Sequence, residues 1–320
     1  MLQYGHIESE IEVLLIVRKI IIMVFISIFL VSCSSQQDGG ITLRATENEM
    51  VVPDHLEENA LRVAFASVVS PQQTRKKYNL LIDYLEDKLD KPIVIVQKQT
   101  YDEVNQMIKL GEVDLAFICS LSYVIGKEQN YLEGLVAPKI NDKSQYRSYI
   151  IAHKNSEIES FEDLEGKRFA FVDPYSYSGR LAVLDLLNAR GLTTEFFEEI
   201  FYTYSHDYSV SAVARGAVEA AAVDSILFDQ LVELDNEDAK LIKIIEYGSY
   251  AGTPPIVVSN KIDEDLKHNI KNALLFLKDD PIGNDILHEL GIDEYIIIDE
   301  KRYLPIVNTL HLLGESNEKN

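Results

Sequence analysis

From residue 61 onward, short apolar runs alternate with segments whose apolar residues recur every three or four positions. That alternation confines the chain to an α/β fold. Leu61-Arg62-Val63-Ala64-Phe65-Ala66 reads as a strand and Ser70-Pro71-Gln72-Gln73 as a helix start. Tyr78, Leu81, Ile82, Leu85 and Leu89 then mark one face of a helix. A strand over 92–96, a helix over 101–110 closed by Gly111, a strand over 113–118 and a helix opened by Ser120 or Ser122 follow. This order predicts a parallel sheet with helices on both faces. A second unit repeats the pattern, with strands over 148–152, 167–172, 218–223 and 241–245 and helices over 179–190, 208–215 and 227–234. Residues 247–255 are a Gly/Pro-rich crossing, followed by a strand at 256–258 and helices over 263–277 and 281–291. The expected architecture is two lobes, 60–147 plus 251–320 and 148–250, hinged by two crossover segments. Open α/β sheets bind ligands at the carboxyl ends of their strands. That singles out the loops at 99–102, 119–123, 173–179, 205–208 and 224–225.

Residues 1–59 stand apart. Arg18-Lys19 precede an apolar run, Ile20 to Leu30, too short to span a bilayer but suited to a signal-peptide core. Leu30-Val31-Ser32-Cys33 is similar to a bacterial lipobox, which implies cleavage before Cys33 and acylation of its thiol. The polar, acidic stretch that follows reads as a tether. The expected division is a signal peptide over 1–32 and a flexible tether over 33–59, with an exported, membrane-anchored product. Glu8, Glu10 and Glu12 are unusual ahead of such a core and point to a start nearer Arg18. With Cys33 lipidated, Cys119 has no partner for a disulfide, since the sequence holds two cysteines.

The remaining composition bounds the chemistry. A hydrophobic content of 47% supports a large core, and a net charge of −22 removes the basic face that nucleic acid requires. The seven histidines are scattered, with no metal-ligand spacing, no GxSxG elbow and no phosphate-binding P-loop. The expectation is a binding protein without catalytic residues, metal or cofactor.

Val172-Asp173-Pro174-Tyr175-Ser176-Tyr177-Ser178-Gly179-Arg180 lies where a strand becomes a helix. Pro174 stops the strand, and Ser176 or Ser178 caps the helix. Free N–H groups, the helix dipole, hydroxyls and a glycine together make an anion site. Cys119-Ser120-Leu121-Ser122-Tyr123 is a second hydroxyl-rich helix start, in the other lobe. Two such starts facing across a cleft suit one oxyanion. Asp224 reads equally as an N-cap or as an acceptor for the hydroxyl of a monoprotonated phosphonate, phosphite or phosphate, a proton that sulfate lacks.

Four stretches carry a family resemblance: GEVDLAFICSLSYV, FEDLEGKRFAFVDPYSYSG, SHDYSVSAVARGAVEAAAVDS and GTPPIVV. In this order the chain resembles the phosphonate/phosphite-binding proteins of bacterial ABC importers over roughly residues 60–275. The resemblance implies a two-lobed periplasmic-binding-protein ("flytrap") fold, type II-like, acting as a monomeric receptor that serves a permease and an ATPase. It also implies that Ser176, Tyr177 and Ser178 hold the oxyanion, that His206 points at it, and that Tyr101 and Tyr146 wall the cleft. Closure would bring Ser120, Ser122, Tyr123 and Tyr101 onto the ligand's other side. His206 beside an anion is expected to favour its charged form. Three positions depart from the family pattern. Tyr177 replaces a Ser or Thr, Cys119 replaces a Gly, and Ile226 and Pro254 fall near the acids that aminoalkylphosphonate receptors use. The same fold also serves ligand sensors coupled to a signalling partner.

Overall fold

A computed structural model of the protein describes residues 59–66 and 71–314. The predicted signal peptide, Cys33, nearly all of the predicted tether and the predicted Ser70 helix cap lie outside the described residues. The strands form two sheets. The first holds β1 (Leu61–Phe65), β2 (Ile93–Gln97), β3 (Leu115–Phe117), β4 (Leu132–Lys139), β10 (Ile256–Ser259) and β11 (Glu294–Ile296) in the order β11-β4-β10-β3-β1-β2. The second holds β5 (Gln145–His153), β6 (Arg168–Phe171), β7 (Glu199–Tyr202), β8 (Ala220–Asp224) and β9 (Ile242–Gly252) in the order β7-β6-β8-β5-β9.

The two sheets share one plan. Three parallel strands lie side by side, β2-β1-β3 and β7-β6-β8. Next comes a strand that arrives from the other sheet and runs antiparallel, β10 or β5, and beyond it β4 or β9. The sheets are therefore mixed, not parallel as the alternation predicts. A strand fed by a direct crossing has no crossover helix to reverse it, so it enters head to tail with its neighbours. The crossings span 140–144 and 253–255. The second is pinned at Thr253, whose hydroxyl donates to the Pro138 carbonyl (2.7 Å) and whose carbonyl accepts from the Tyr303 hydroxyl (2.6 Å).

Nine described helices cover these sheets: α1 (Pro71–Leu89), α2 (Tyr101–Leu110), α3 (Ser120–Glu128), α4 (Ala182–Ala189), α5 (His206–Ala214), α6 (Ser225–Glu233), α7 (Glu264–Leu275), α8 (Pro281–Leu290) and α9 (Leu304–Leu313). Local sequence sets their ends. In α2, Thr100 and Glu103 form a reciprocal capping box, and Gly111 closes the helix in the left-handed region at φ 76°. In β8, Ala220 to Val223 are all buried, so helices pack on both faces of this strand.

One core cluster belongs to neither sheet alone. Tyr101, Cys119 and Tyr123 from the first lobe pack with Val172, Tyr177 and Leu181 from the second, and Tyr303, Ile306 and Leu310 join them from the C-terminal segment. The lobes therefore meet through buried side chains at the strand ends, and the cleft is closed.

Candidate functional site

The 172–180 stretch forms an unusual helix start. Residues Tyr177–Leu181 make one π-helical turn, in which the Leu181 N–H donates to the Ser176 carbonyl (3.0 Å), and α4 continues from it. Such a turn widens the helix mouth and recurs at functional sites. Gly179 is required here, because a Cβ would come within 2.5 Å of the Val172 side chain and 2.8 Å of the Ser176 hydroxyl. Ser176 Oγ accepts from the Gly179 N–H (3.0 Å), and the Tyr177 N–H donates across the cleft to Cys119 Sγ (3.4 Å). That leaves the N–H of Ser178, whose own hydroxyl is buried without a hydrogen-bond partner. The Tyr177 phenol turns away from this mouth and donates to the Ser249 carbonyl (2.8 Å), so its extra bulk lies behind the turn.

Tyr101 comes from the first lobe, and Tyr146 lies in β5 of the second sheet. Tyr101, at the start of α2, is buried, and its hydroxyl too has no partner. Tyr146 lies with its hydroxyl 4.0 Å from Cys119 Sγ and its ring edge-on to Tyr177. Burial raises the pKa values of Tyr101, Tyr146 and Cys119, and the Asp224 carboxylate adds to each rise. The three groups therefore stay protonated and share one neighbourhood with Asp224. Other predicted residues are committed elsewhere. The Ser120 hydroxyl donates to the Gly252 carbonyl (2.7 Å), and Ser122 Oγ accepts from the Asn105 amide (3.2 Å). The Tyr123 hydroxyl donates to Glu300 (2.7 Å), away from the cleft.

His206 opens α5, two residues earlier than the periodicity predicts, and is fully buried. Its Nδ1 accepts from the Asp224 N–H (3.0 Å), and burial lowers its pKa to about 3. The expectation of a charged imidazole is thus corrected. The ring is neutral, with its proton on Nε2, a donor fixed by the backbone hydrogen bond to the other nitrogen. Asp224 proves to be the N-cap of α6: its Oδ1 accepts from the N–H groups of Ile226 (2.7 Å) and Leu227 (3.1 Å). Those bonds occupy one carboxylate oxygen, and burial raises the pKa to about 6.

Asp173 escaped the sequence reading. Fully buried in the second lobe, it accepts from the Tyr175 N–H (2.7 Å) and, across the cleft, from the Tyr101 N–H (3.0 Å). A carboxylate thus sits on the positive end of the other lobe's helix, a favourable placement. The available signal was an acid at the end of a strand, just before Pro174.

The two lobes thus each hold a buried, unpartnered hydroxyl, Ser178 Oγ and Tyr101 Oη, and the second lobe adds a buried neutral histidine bonded to the Asp224 backbone. Donors outnumber acceptors, which suits an oxyanion that still carries a proton. The family model described as "ABC transporter, phosphonate, periplasmic substrate-binding protein" matches residues 63–303. The chain belongs to this family. Its members are periplasmic substrate-binding proteins of ABC transporters. Among curated relatives, the chain is 23% identical over 241 residues to a probable ABC transporter phosphite binding protein, PhnD1, of Prochlorococcus marinus, covering 71% of this chain and 81% of that protein. Among solved structures, it superposes on a binding protein component of an ABC phosphonate transporter from Pseudomonas aeruginosa with TM-score 0.75 and 18% identity, covering 81% and 88% of the two chains. It superposes on P. marinus PhnD1 in complex with methylphosphonate with TM-score 0.74 and 20% identity, covering 80% and 99%. These likenesses establish the two-lobed flytrap fold that the sequence predicts.

Proposed function

We propose that the chain is a solute receptor that holds a small phosphorus oxyanion, namely a phosphonate, phosphite or phosphate, between its lobes and presents it to an ABC permease and ATPase. The observation that carries this reading is the pair of buried, unpartnered hydroxyls, Ser178 Oγ and Tyr101 Oη, one from each lobe. A buried polar group without a partner costs about 1–3 kcal/mol. One from each lobe, they are explained by a ligand that pairs with both. The Nε2–H of His206 and the Ser178 N–H add donors, and the second carboxylate oxygen of Asp224 takes the ligand's own proton. Nothing in this set performs chemistry; binding shifts the lobes toward the closed arrangement. The lobes are read as 60–147 plus 251–320 and 148–250.

The test is titration of Ser178→Ala with methylphosphonate. Affinity should fall by about 1–3 kcal/mol, the worth of a donor to a buried charge. Unchanged affinity would remove the anion from this turn. The lipobox supports a further reading, that residues 1–32 are removed and Cys33 anchors the receptor to a membrane through lipid and the 33–59 tether. Cys33→Ser should then move the protein from the membrane to the soluble fraction; persistent membrane association would refute the anchor.

A further inference from the structure

Asp224 also lines a chamber of about 120 Å³ between the lobes. Its walls are largely apolar: Phe65 stacks on Phe117, Tyr78 tilts against both, with ring centroids 4.4–5.2 Å apart, and Ile226, Pro254 and Pro255 complete the lining. For scale, an engineered cavity of about 150 Å³ holds a benzene. The chamber therefore has room for an organic tail of a few carbons, which inorganic phosphite and phosphate lack.

One cation enters this apolar space. Lys77, on α1, reaches across the cleft and donates to the Gln230 side-chain carbonyl on α6 (2.8 Å). Among the described residues no carboxylate lies within ion-pair distance of it. The charge nearest to it in effect is Asp224, at the other end of the same helical stretch, and burial lowers the Lys77 pKa. Six residues separate Asp224 from Gln230, roughly 9 Å along a helix axis. An ammonium bonded to one neutral amide and drawn out of water is poorly compensated and still holds donors to give.

We infer that this chamber is a tail subsite selecting organophosphonates whose tail ends in a carboxylate, with Lys77 as the residue that recognises it. The inference rests on the receptor reading above and deepens it. The phosphorus group occupies the Ser178, Tyr101 and His206 pole, two or three methylenes cross the Phe65, Ile226 and Pro254 walls, and the terminal carboxylate meets the Lys77 ammonium. An amine-ended tail would bring a second cation against Lys77 with no acid at Ile226 or Pro254 to receive it.

The test is calorimetric titration of the full chain with methylphosphonate, 2-carboxyethylphosphonate, 3-carboxypropylphosphonate, the near-isosteric 3-methylbutylphosphonate and 3-aminopropylphosphonate. At least one carboxylated ligand should bind about tenfold or more tightly than 3-methylbutylphosphonate, and the amine more weakly than both. In Lys77→Met the ratio of carboxylated to alkyl affinity should collapse toward one, and Lys77→Arg should restore part of it. The ratio is the readout because losing the Gln230 contact can shift all ligands together. Binding of methylphosphonate without a carboxylate advantage overturns the inference and leaves the receptor reading standing. Absence of binding by every phosphorus ligand overturns both.

Discussion

Asp224 serves two masters through one side chain. One oxygen caps α6 and burial holds the carboxyl near pKa 6, above its ordinary value. A carboxyl whose folded pKa is raised binds more protons folded than unfolded, so its contribution to stability is full below about pH 4 and is lost as pH rises through 6. His206 acts in the opposite sense. Its folded pKa of about 3 lies below the ordinary histidine value, so the unfolded state takes up the proton and stability rises with pH until about 6.5. Between pH 4 and 6 the two slopes oppose. Asp224→Asn keeps a good N-cap and removes only the falling slope. Relative to this variant, the wild type should lose about 2 kcal/mol of unfolding free energy between pH 4 and 6, by denaturant titration at each pH. A difference independent of pH would place Asp224 in water rather than in the closed cleft. At this scale the sequence was partly legible. Tyr101, Tyr146 and Tyr177 pack in one buried cluster and His206 bonds to the Asp224 backbone, whereas Ser120, Ser122 and Tyr123 are engaged by Gly252, Asn105 and Glu300. A helix start announces its hydroxyls, but which way each points depends on partners from other elements, 17 to 177 residues distant.

At the scale of elements, two helix starts and one strand end define the cleft. The π turn at Tyr177–Leu181 opens one helix mouth, and Asp173 reaches from beside it to the first N–H of α2. This bond joins the lobes in the closed arrangement and favours it through the dipole of α2. Asp173→Asn leaves the shape and removes the charge. It should weaken phosphorus-oxyanion binding by about 0.5–2 kcal/mol and shift the unliganded protein toward a larger radius of gyration in small-angle X-ray scattering. If neither quantity changes, Asp173 plays no part in closure. The regular elements were legible where the apolar pattern is long, as in β1, α1, α2 and β8. Three strands were not. β4 contains Gly134 and Pro138, which break its pattern; β7 is an exposed edge; and β11 is three residues long. The antiparallel sense of β5 and β10 was hidden for a different reason: direction follows from how the chain crosses between sheets, which local pattern does not encode.

For the molecule as a whole, the two sheets repeat one strand order and place their carboxyl ends against each other, so the site lies where neither sheet could build it alone. Tyr101, Tyr146 and Tyr177 are buried in one cluster, and the lobes are linked through Lys77 and Gln230, Tyr101 and Asp173, and Cys119 and Tyr177. The strongly acidic surface repels anions, so the affinity must reside in these buried donors rather than in long-range steering. The most direct measurement is calorimetric titration of residues 36–320 with phosphite, phosphate, methylphosphonate and sulfate at neutral pH. Tight binding of at least one phosphorus oxyanion, with no heat from sulfate, is the expected result. It would assign Asp224 the proton that sulfate lacks. Sulfate binding as tightly as the phosphorus ligands, or silence from all four, would contradict the account.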